Sequence, residues 1–152
     1  MRILLDTSIL VRTAQPSSPA FATTVDAVTR LRQAGFIPCL VPQICYEFWA
    51  VVTRPVDVNG LGLSSQQATL ELAQLASLFG ILRDERVIFE RWQNLVSQYE
   101  VIGKKTHDAR LVAAMLRHGI THLLTLNPSD FRRYSMIKVL EPSTVSKVSA
   151  AS

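Results

Sequence analysis

Hydrophobic and polar residues alternate along the chain in short blocks. Arg2–Leu5 is a brief, mostly apolar run that stops at Asp6-Thr7-Ser8. Its length and polar boundary predict a buried strand. Ile9–Val11 begins a helix or a loop, and Gln15-Pro16-Ser17-Ser18-Pro19 is a loop. From Ala22 to Ala34 the apolar positions Val25, Val28 and Leu31 step by three, which predicts a helix stopped at Gly35. Phe36–Val41 is a second strand candidate despite Pro38. Pro42 suits the first turn of a helix running to Thr53, before Arg54-Pro55 ends it.

Val56–Leu63 reads as a loop. Ser64, with Gln67 three residues on, forms a capping box for a helix to Phe79, closed by Gly80. Asp84 to Tyr99 is amphipathic through Val87, Phe89, Trp92, Leu95 and Val96. Thr106 caps a helix to His118, with Gly119 as its stop. Thr121–Leu126 is a strand candidate, Asn127-Pro128-Ser129-Asp130 a turn, and Met136–Leu140 a last strand. Strands separated by helices predict a parallel sheet with helices on its faces. The expected organisation is one domain over residues 1–142 and a flexible tail from Ser143 to Ser152.

Composition sharpens this picture. With 152 residues, 48% hydrophobic and 18% charged, the chain has ample core material, which rules out disorder as its main state. The spacing of Cys39 and Cys45 matches no zinc motif, and two buried free thiols in a reducing cytoplasm are expected. Asp6 interrupts the N-terminal apolar run, so no secretory leader is expected. No run is long enough to cross a membrane. The net charge of +4 is compatible with a polyanionic partner.

Four acids stand out by context. Asp6 directly follows a strand, and Asp130 lies a short turn after another. Asp108 begins a helix that leads into a strand, and Glu47 sits within Ile44-Cys45-Tyr46-Glu47-Phe48-Trp49-Ala50-Val51-Val52. Asp6 and Asp130 each have a local alternative as turn residues, and Asp108 as a partner of the helix dipole. Glu47 has a bland alternative on a narrow exposed stripe with Gln43 and Arg54. Otherwise it is a buried carboxylate that needs a cation or a proton. In parallel α/β sheets ligands bind at the carboxyl ends of the strands, where these acids would converge. Two ionised carboxylates ~4 Å apart at an effective dielectric of ~20 repel by about 4 kcal/mol. A hard cation, Mg²⁺ or Mn²⁺, relieves that repulsion.

Carboxylates around such a cation, without a phosphate-cradling glycine loop or a GxSxG nucleophile, point to metal-assisted hydrolysis of a phosphodiester. Lys104, Lys105, Arg110, Arg117, Arg132, Arg133 and Lys138 surround Asp108 and Asp130 in sequence. Either they form a solvated basic face or some of them contact phosphates. Arg132 and Arg133 lead the phosphate candidates, with Lys104 and Lys105 behind them. His107 could orient Asp108 or touch a phosphate.

Four segments in this order resemble the PIN-domain family of metal-dependent ribonucleases, which includes the VapC-like toxins of type II toxin–antitoxin pairs. They are Leu4-Leu5-Asp6-Thr7-Ser8-Ile9-Leu10, Glu47 in its helix, Thr106-His107-Asp108-Ala109 with Ala113-Ala114, and Leu124-Thr125-Leu126-Asn127-Pro128-Ser129-Asp130-Phe131. The resemblance spans about Met1 to Pro142. It implies a three-layer α/β/α sandwich with a central parallel sheet, and metal binding by Asp6, Glu47 and Asp108. Many family members carry an acid where this chain has Asn127, so the fourth ligand is either Asp130 or the Asn127 amide oxygen. Thr7, Ser8 and Thr125 are supporting hydrogen-bonders.

The resemblance further implies an RNA substrate, a small antitoxin partner, a homodimer and a cytoplasmic protein. The alternative is a PIN-like module that binds RNA or protein without cutting. Its motive is the departure at Asn127, together with the Leu-rich helices between Ser64 and Tyr99.

Overall fold

The computed structural model describes residues 1–145. Five strands form one sheet: β1 (Arg2–Leu5), β2 (Ile37–Leu40), β3 (Gly80–Ile81), β4 (His122–Leu124) and β5 (Lys138–Leu140). Their order is β3-β2-β1-β4-β5, and every pair is parallel. Six helices connect them: α1 (Thr7–Thr13), α2 (Phe21–Gln33), α3 (Pro42–Thr53), α4 (Ser65–Leu78), α5 (Arg86–Gln98) and α6 (Lys105–His118). Single 3₁₀ turns occupy Val56–Val58 and Pro128–Asp130.

The chain steps from β1 outward to β2 and β3, then crosses back to β4 and β5. Right-handed crossovers therefore place α1–α4 on one face of the sheet and α5–α6 on the other. The helix contacts agree: α1 packs on α2 and α3, α3 packs on α4, and α5 packs on α6. The result is the expected helix–sheet–helix sandwich. The direction reverses between β1 and β4, so the crevice beyond their carboxyl ends is the topological switch point.

The central strand reads as its burial requires. Ile3, Leu4 and Leu5 are all fully buried, because a strand covered by helices on both faces must be apolar throughout. Ile9 and Leu10 of α1, Ile44 and Phe48 of α3, and Leu111 to Met115 of α6 complete the core. Leu5 pairs in register with Leu124, so the next residues, Asp6 and Thr125, emerge side by side at the sheet edge. The Asp6 amide donates to the Leu124 carbonyl at 3.0 Å, fixing that alignment.

Several local expectations hold and others shift. Pro42 opens α3, the Ser64–Gln67 capping box is formed, and Gly119 closes α6 in the left-handed region. Cys39 and Cys45 are buried and unlinked. Pro38 lies inside β2. The Ile37 amide donates to Met1 on the β1 side, so the Pro38 nitrogen faces the β3 side, and β3 begins only opposite Cys39.

Gly80, expected only to close a helix, also begins β3, whose two residues carry too little pattern to be read as a strand. Thr106 does not cap α6. The helix starts at Lys105, and the Thr106 hydroxyl donates to the Gly103 carbonyl instead. At the C-terminus Val145 is buried in the core, so packing continues past Pro142. The remainder of the expected flexible tail, residues 146–152, lies outside the described residues.

Candidate metal centre

Two strand ends and two helix starts converge on the crevice beyond β1 and β4. Asp6 stands immediately after β1 and is buried. Its Oδ2 accepts from the Thr125 hydroxyl at 2.7 Å and from the Ser8 hydroxyl at 3.0 Å. Thr125 is fully buried, and its Oγ1 also accepts the Asn127 amide at 3.0 Å. Ser8 Oγ accepts the Leu126 amide at 3.1 Å. Two hydroxyls thus lock the first residues of α1 to the turn after β4, with Asp6 as their common acceptor.

Glu47 is held from both sides. Thr7 Oγ1 donates to its Oε2 at 2.7 Å, and Gln43 Nε2 donates to its Oε1 at 2.8 Å. Gln43 lies one helical turn before Glu47 on α3. Its amide nitrogen also donates to the His107 carbonyl at 2.8 Å, and its amide oxygen accepts Arg110 Nη1 at 2.9 Å. Arg110 is steadied in turn by Asp84, with Nη2 3.3 Å from its Oδ1. The start of α3 is therefore bolted to the start of α6, although the two helices lie on opposite faces of the sheet. Gln43 is only 6% exposed, which removes the reading of Glu47 and Gln43 as a solvated stripe.

Asp108, half-buried on the first turn of α6, feels the other three acids. Burial chiefly raises its pKa, to about 6, and Asp130, Asp6 and Glu47 raise it further against the opposing pull of Lys105. Burial also raises the Asp6 pKa, opposed by its bonds to Thr125 and Ser8 and assisted by Glu47. The other three carboxylates thus lie within electrostatic reach of Asp108, and Glu47 within reach of Asp6. Lys105 Nζ bonds Asp130 Oδ1 at 3.2 Å across the rim. Asn127 is exposed, and its amide bonds Thr125.

Among the described residues, no three Asp, Glu, His or Cys side chains are drawn into a ready-made cage. The donor set nevertheless fits a hard divalent cation. It is all oxygen, burial and neighbouring charge raise the pKa of two of its acids, and Lys105 meets Asp130 at the rim.

Lys104, Arg132 and Arg133 are exposed. Among the described residues they make no hydrogen bond or ion pair to a site carboxylate. His107 is exposed as well, and its carbonyl rather than its ring is tied into the site. Gln43 and Arg110 were not singled out from the sequence as positioning residues. The available signal was Gln43 four residues before Glu47 in an otherwise apolar helix.

Comparison with known proteins decides the family. The sequence profile of the PIN domain matches residues 3–136, most of the chain. The protein belongs to the PIN domain family. No curated protein matches it by sequence. Among solved structures, this PIN domain is similar to VapBC2 from Rickettsia felis bound to a promoter DNA fragment. The identity is 15% over 93% of this chain and 98% of that one, with a TM-score of 0.67. A toxin–antitoxin complex from Klebsiella pneumoniae shares 20% identity over 92% of this chain and 97% of that one, with a TM-score of 0.64. Mycobacterium tuberculosis VapC20, a toxin that cleaves the sarcin–ricin loop, shares 18% over 80% and 86%, with a TM-score of 0.58. At these identities the likeness is one of fold.

Proposed function

We propose that this PIN domain is a divalent-metal-dependent endoribonuclease and the toxin of a type II toxin–antitoxin pair. The observation that carries the reading is the convergence of Asp6, Glu47, Asp108 and Asp130 on one crevice, where burial and then the three neighbouring acids raise the pKa of Asp108 to about 6. Asp6, Glu47 and Asp108, with Asp130 or Asn127, would hold Mg²⁺ or Mn²⁺. Such a cation, when bound, activates water for attack on a phosphodiester and neutralises charge on the phosphate.

The chain's own residues prepare the site. Thr125 and Ser8 fix Asp6, while Thr7 and Gln43 fix Glu47, so neither carboxylate has to find its rotamer when the cation arrives. Lys104, Lys105, Arg132 and Arg133 supply sequence-independent attraction for the RNA backbone. Lys105 can exchange its bond to Asp130 for one to phosphate.

The test is cleavage of a mixed RNA pool with Mn²⁺, Mg²⁺ or EDTA, alongside Asp6→Asn and Asp108→Asn. Metal-dependent cutting lost in both variants is expected, and cutting retained in either folded variant overturns the assignment. The antitoxin rests on the fold shared with toxin–antitoxin complexes. It predicts a gene for a small DNA-binding protein beside this one, whose product co-purifies with the PIN domain and blocks cleavage. A homodimer in the cytoplasm completes the proposal, with sedimentation as its check. Among the described residues no helix is long and apolar enough to cross a membrane.

One observation favours a non-catalytic RNA- or protein-binding module instead. Lys105 already pairs with Asp130, and among the described residues no three acids are gathered to ligand spacing. That reading expects no thermal stabilisation by Mn²⁺, whereas a cation bound to the folded state raises Tm.

A further inference from the structure

An aromatic cleft opens between α5 and α6, next to the Arg110–Gln43 link to Glu47, and the proposed chemistry leaves it unused. Phe89 is 58% exposed, although it is a large apolar ring. It stacks on Trp92, with ring centroids 6.0 Å apart and planes 30° from parallel. Trp92 is anchored, because its indole N–H donates to the Thr106 carbonyl at 2.8 Å. The cleft holds about 390 Å³, and Glu85, Ile88, His107 and Arg110 complete its lining. An exposed ring braced on a hydrogen-bonded one is a rigid platform with one face left to offer.

Its position relative to Asp108 gives it meaning. Thr106, His107 and Arg110 all line the cleft; Asp108, on the same turn of α6, does not, and the link to the carboxylates runs from Arg110 to Gln43 and from Gln43 to Glu47. We propose that this cleft receives an unpaired nucleobase of single-stranded RNA, stacked on Phe89 and Trp92, next to the phosphate presented to the carboxylates. The inference deepens the nuclease reading and rests on it for where the chain is cut.

The chemistry of the walls selects this occupant. Unstacked RNA bases are taken up by aromatic faces and by guanidinium groups, and this cleft is lined by Phe89 and Trp92 together with Arg110. A protein helix would need a broad apolar strip. Here the apolar lining is interrupted by Arg110 and Glu85, each held in an ion pair, with Asp84 and Arg117 respectively. Exposed Lys104 and half-exposed Lys105 extend positive charge along the backbone path toward Asp130.

The experiment measures binding and cutting separately. Fluorescence anisotropy follows a short labelled oligouridylate on the Asp6→Asn protein, with an abasic ribose–phosphate chain of equal length as the control. Phe89→Ala on that background is expected to bind the oligouridylate about tenfold more weakly, while Phe89→Tyr keeps the affinity. The abasic chain is expected to bind all of these proteins equally. Phe89 is exposed, and circular dichroism confirms that each variant is folded.

On the cutting protein, Phe89→Ala is expected to raise KM with kcat unchanged. Equal oligouridylate affinity in Phe89→Ala overturns the proposal. So does a change of oligomeric state with RNA affinity intact, which would make the surface a protein interface. Wild-type cutting with Phe89-independent affinity removes the cleft and leaves the nuclease. Phe89-dependent binding without any cutting removes the nuclease and leaves the cleft as the base-binding site of an RNA-binding module.

Discussion

Gln43 shows how one buried amide can set the geometry of a site it does not belong to. Its nitrogen donates to Glu47 and to the His107 carbonyl, and its oxygen accepts Arg110. Gln43→Leu keeps the apolar volume but leaves these partners unsatisfied, at a cost of roughly 1–3 kcal/mol in stability. Loss of such a positioning bond weakens metal affinity about 10–100-fold. Calorimetric titration with Mn²⁺ reads the second effect independently of cleavage, and unchanged affinity would make Gln43 a packing residue only.

Asp108 makes a second prediction at this scale, with a definite sign. Its pKa is raised from 3.8 to about 6, so between those values the folded protein holds more protons than the unfolded chain. Stability of the metal-free protein therefore falls as pH rises through that window, and the loss is complete above about pH 6. The raised pKa of Asp6 acts in the same direction. Tm of the EDTA-treated protein is expected to be lower at pH 7.5 than at pH 5, and Mn²⁺ is expected to close the gap. Asp108→Asn should raise Tm of the metal-free protein at neutral pH, by about 2–4 °C for each kcal/mol of repulsion relieved. The same variant should lose the Mn²⁺ response. A fall in metal-free Tm would mean that Asp108 stabilises the fold rather than straining it.

Among the elements, α4 separates stability from activity. The Ser64 hydroxyl accepts the Gln67 amide at 3.1 Å, and the Gln67 side chain returns to the Ser64 amide at 2.9 Å. Ser64→Ala is expected to cost about 1 kcal/mol, seen as a fall in Tm, and to leave kcat and KM unchanged. A fall in kcat would tie α4 to the site.

The capping box was legible in the sequence because it is local, with both partners and their spacing inside four residues. The same holds for Pro42 at the start of α3 and for the apolar run of β1. β3 was not legible, since two residues carry no periodicity and only pairing with Cys39 and Leu40 makes Gly80–Ile81 a strand. The start of α6 was misplaced because Thr106 fits a cap by type, while its hydroxyl finds the Gly103 carbonyl in the folded chain. Asp6 and Glu47 could be picked out by their apolar surroundings. The bonds that orient them span 119 residues for Thr125–Asp6 and 40 for Thr7–Glu47, and such separations leave no local pattern.

For the whole molecule, the switch point between β1 and β4 brings the acids together while the basic residues stay on the rim and the exposed surface. A net charge of +4 favours a polyanion in general, but under the nuclease reading the attraction for RNA belongs to particular side chains. Each phosphate neutralised on a single strand contributes about −0.7 to the slope of log affinity against log salt. If Arg132 and Arg133 each hold one phosphate, Arg132→Ala with Arg133→Ala should make that slope shallower by about 1.4. Affinity for all RNA sequences should fall alike, because backbone contacts carry no sequence information. Phe89→Ala should behave in the opposite way, weakening the oligouridylate while leaving the salt slope as it was, because stacking releases no counterions. Measured on the non-cutting Asp6→Asn protein over a range of salt, the two sets of variants resolve binding into a backbone part and a base part. An unchanged slope in the arginine double variant would assign the phosphate contacts to other cations, with Lys104 and Lys105 the next pair to substitute.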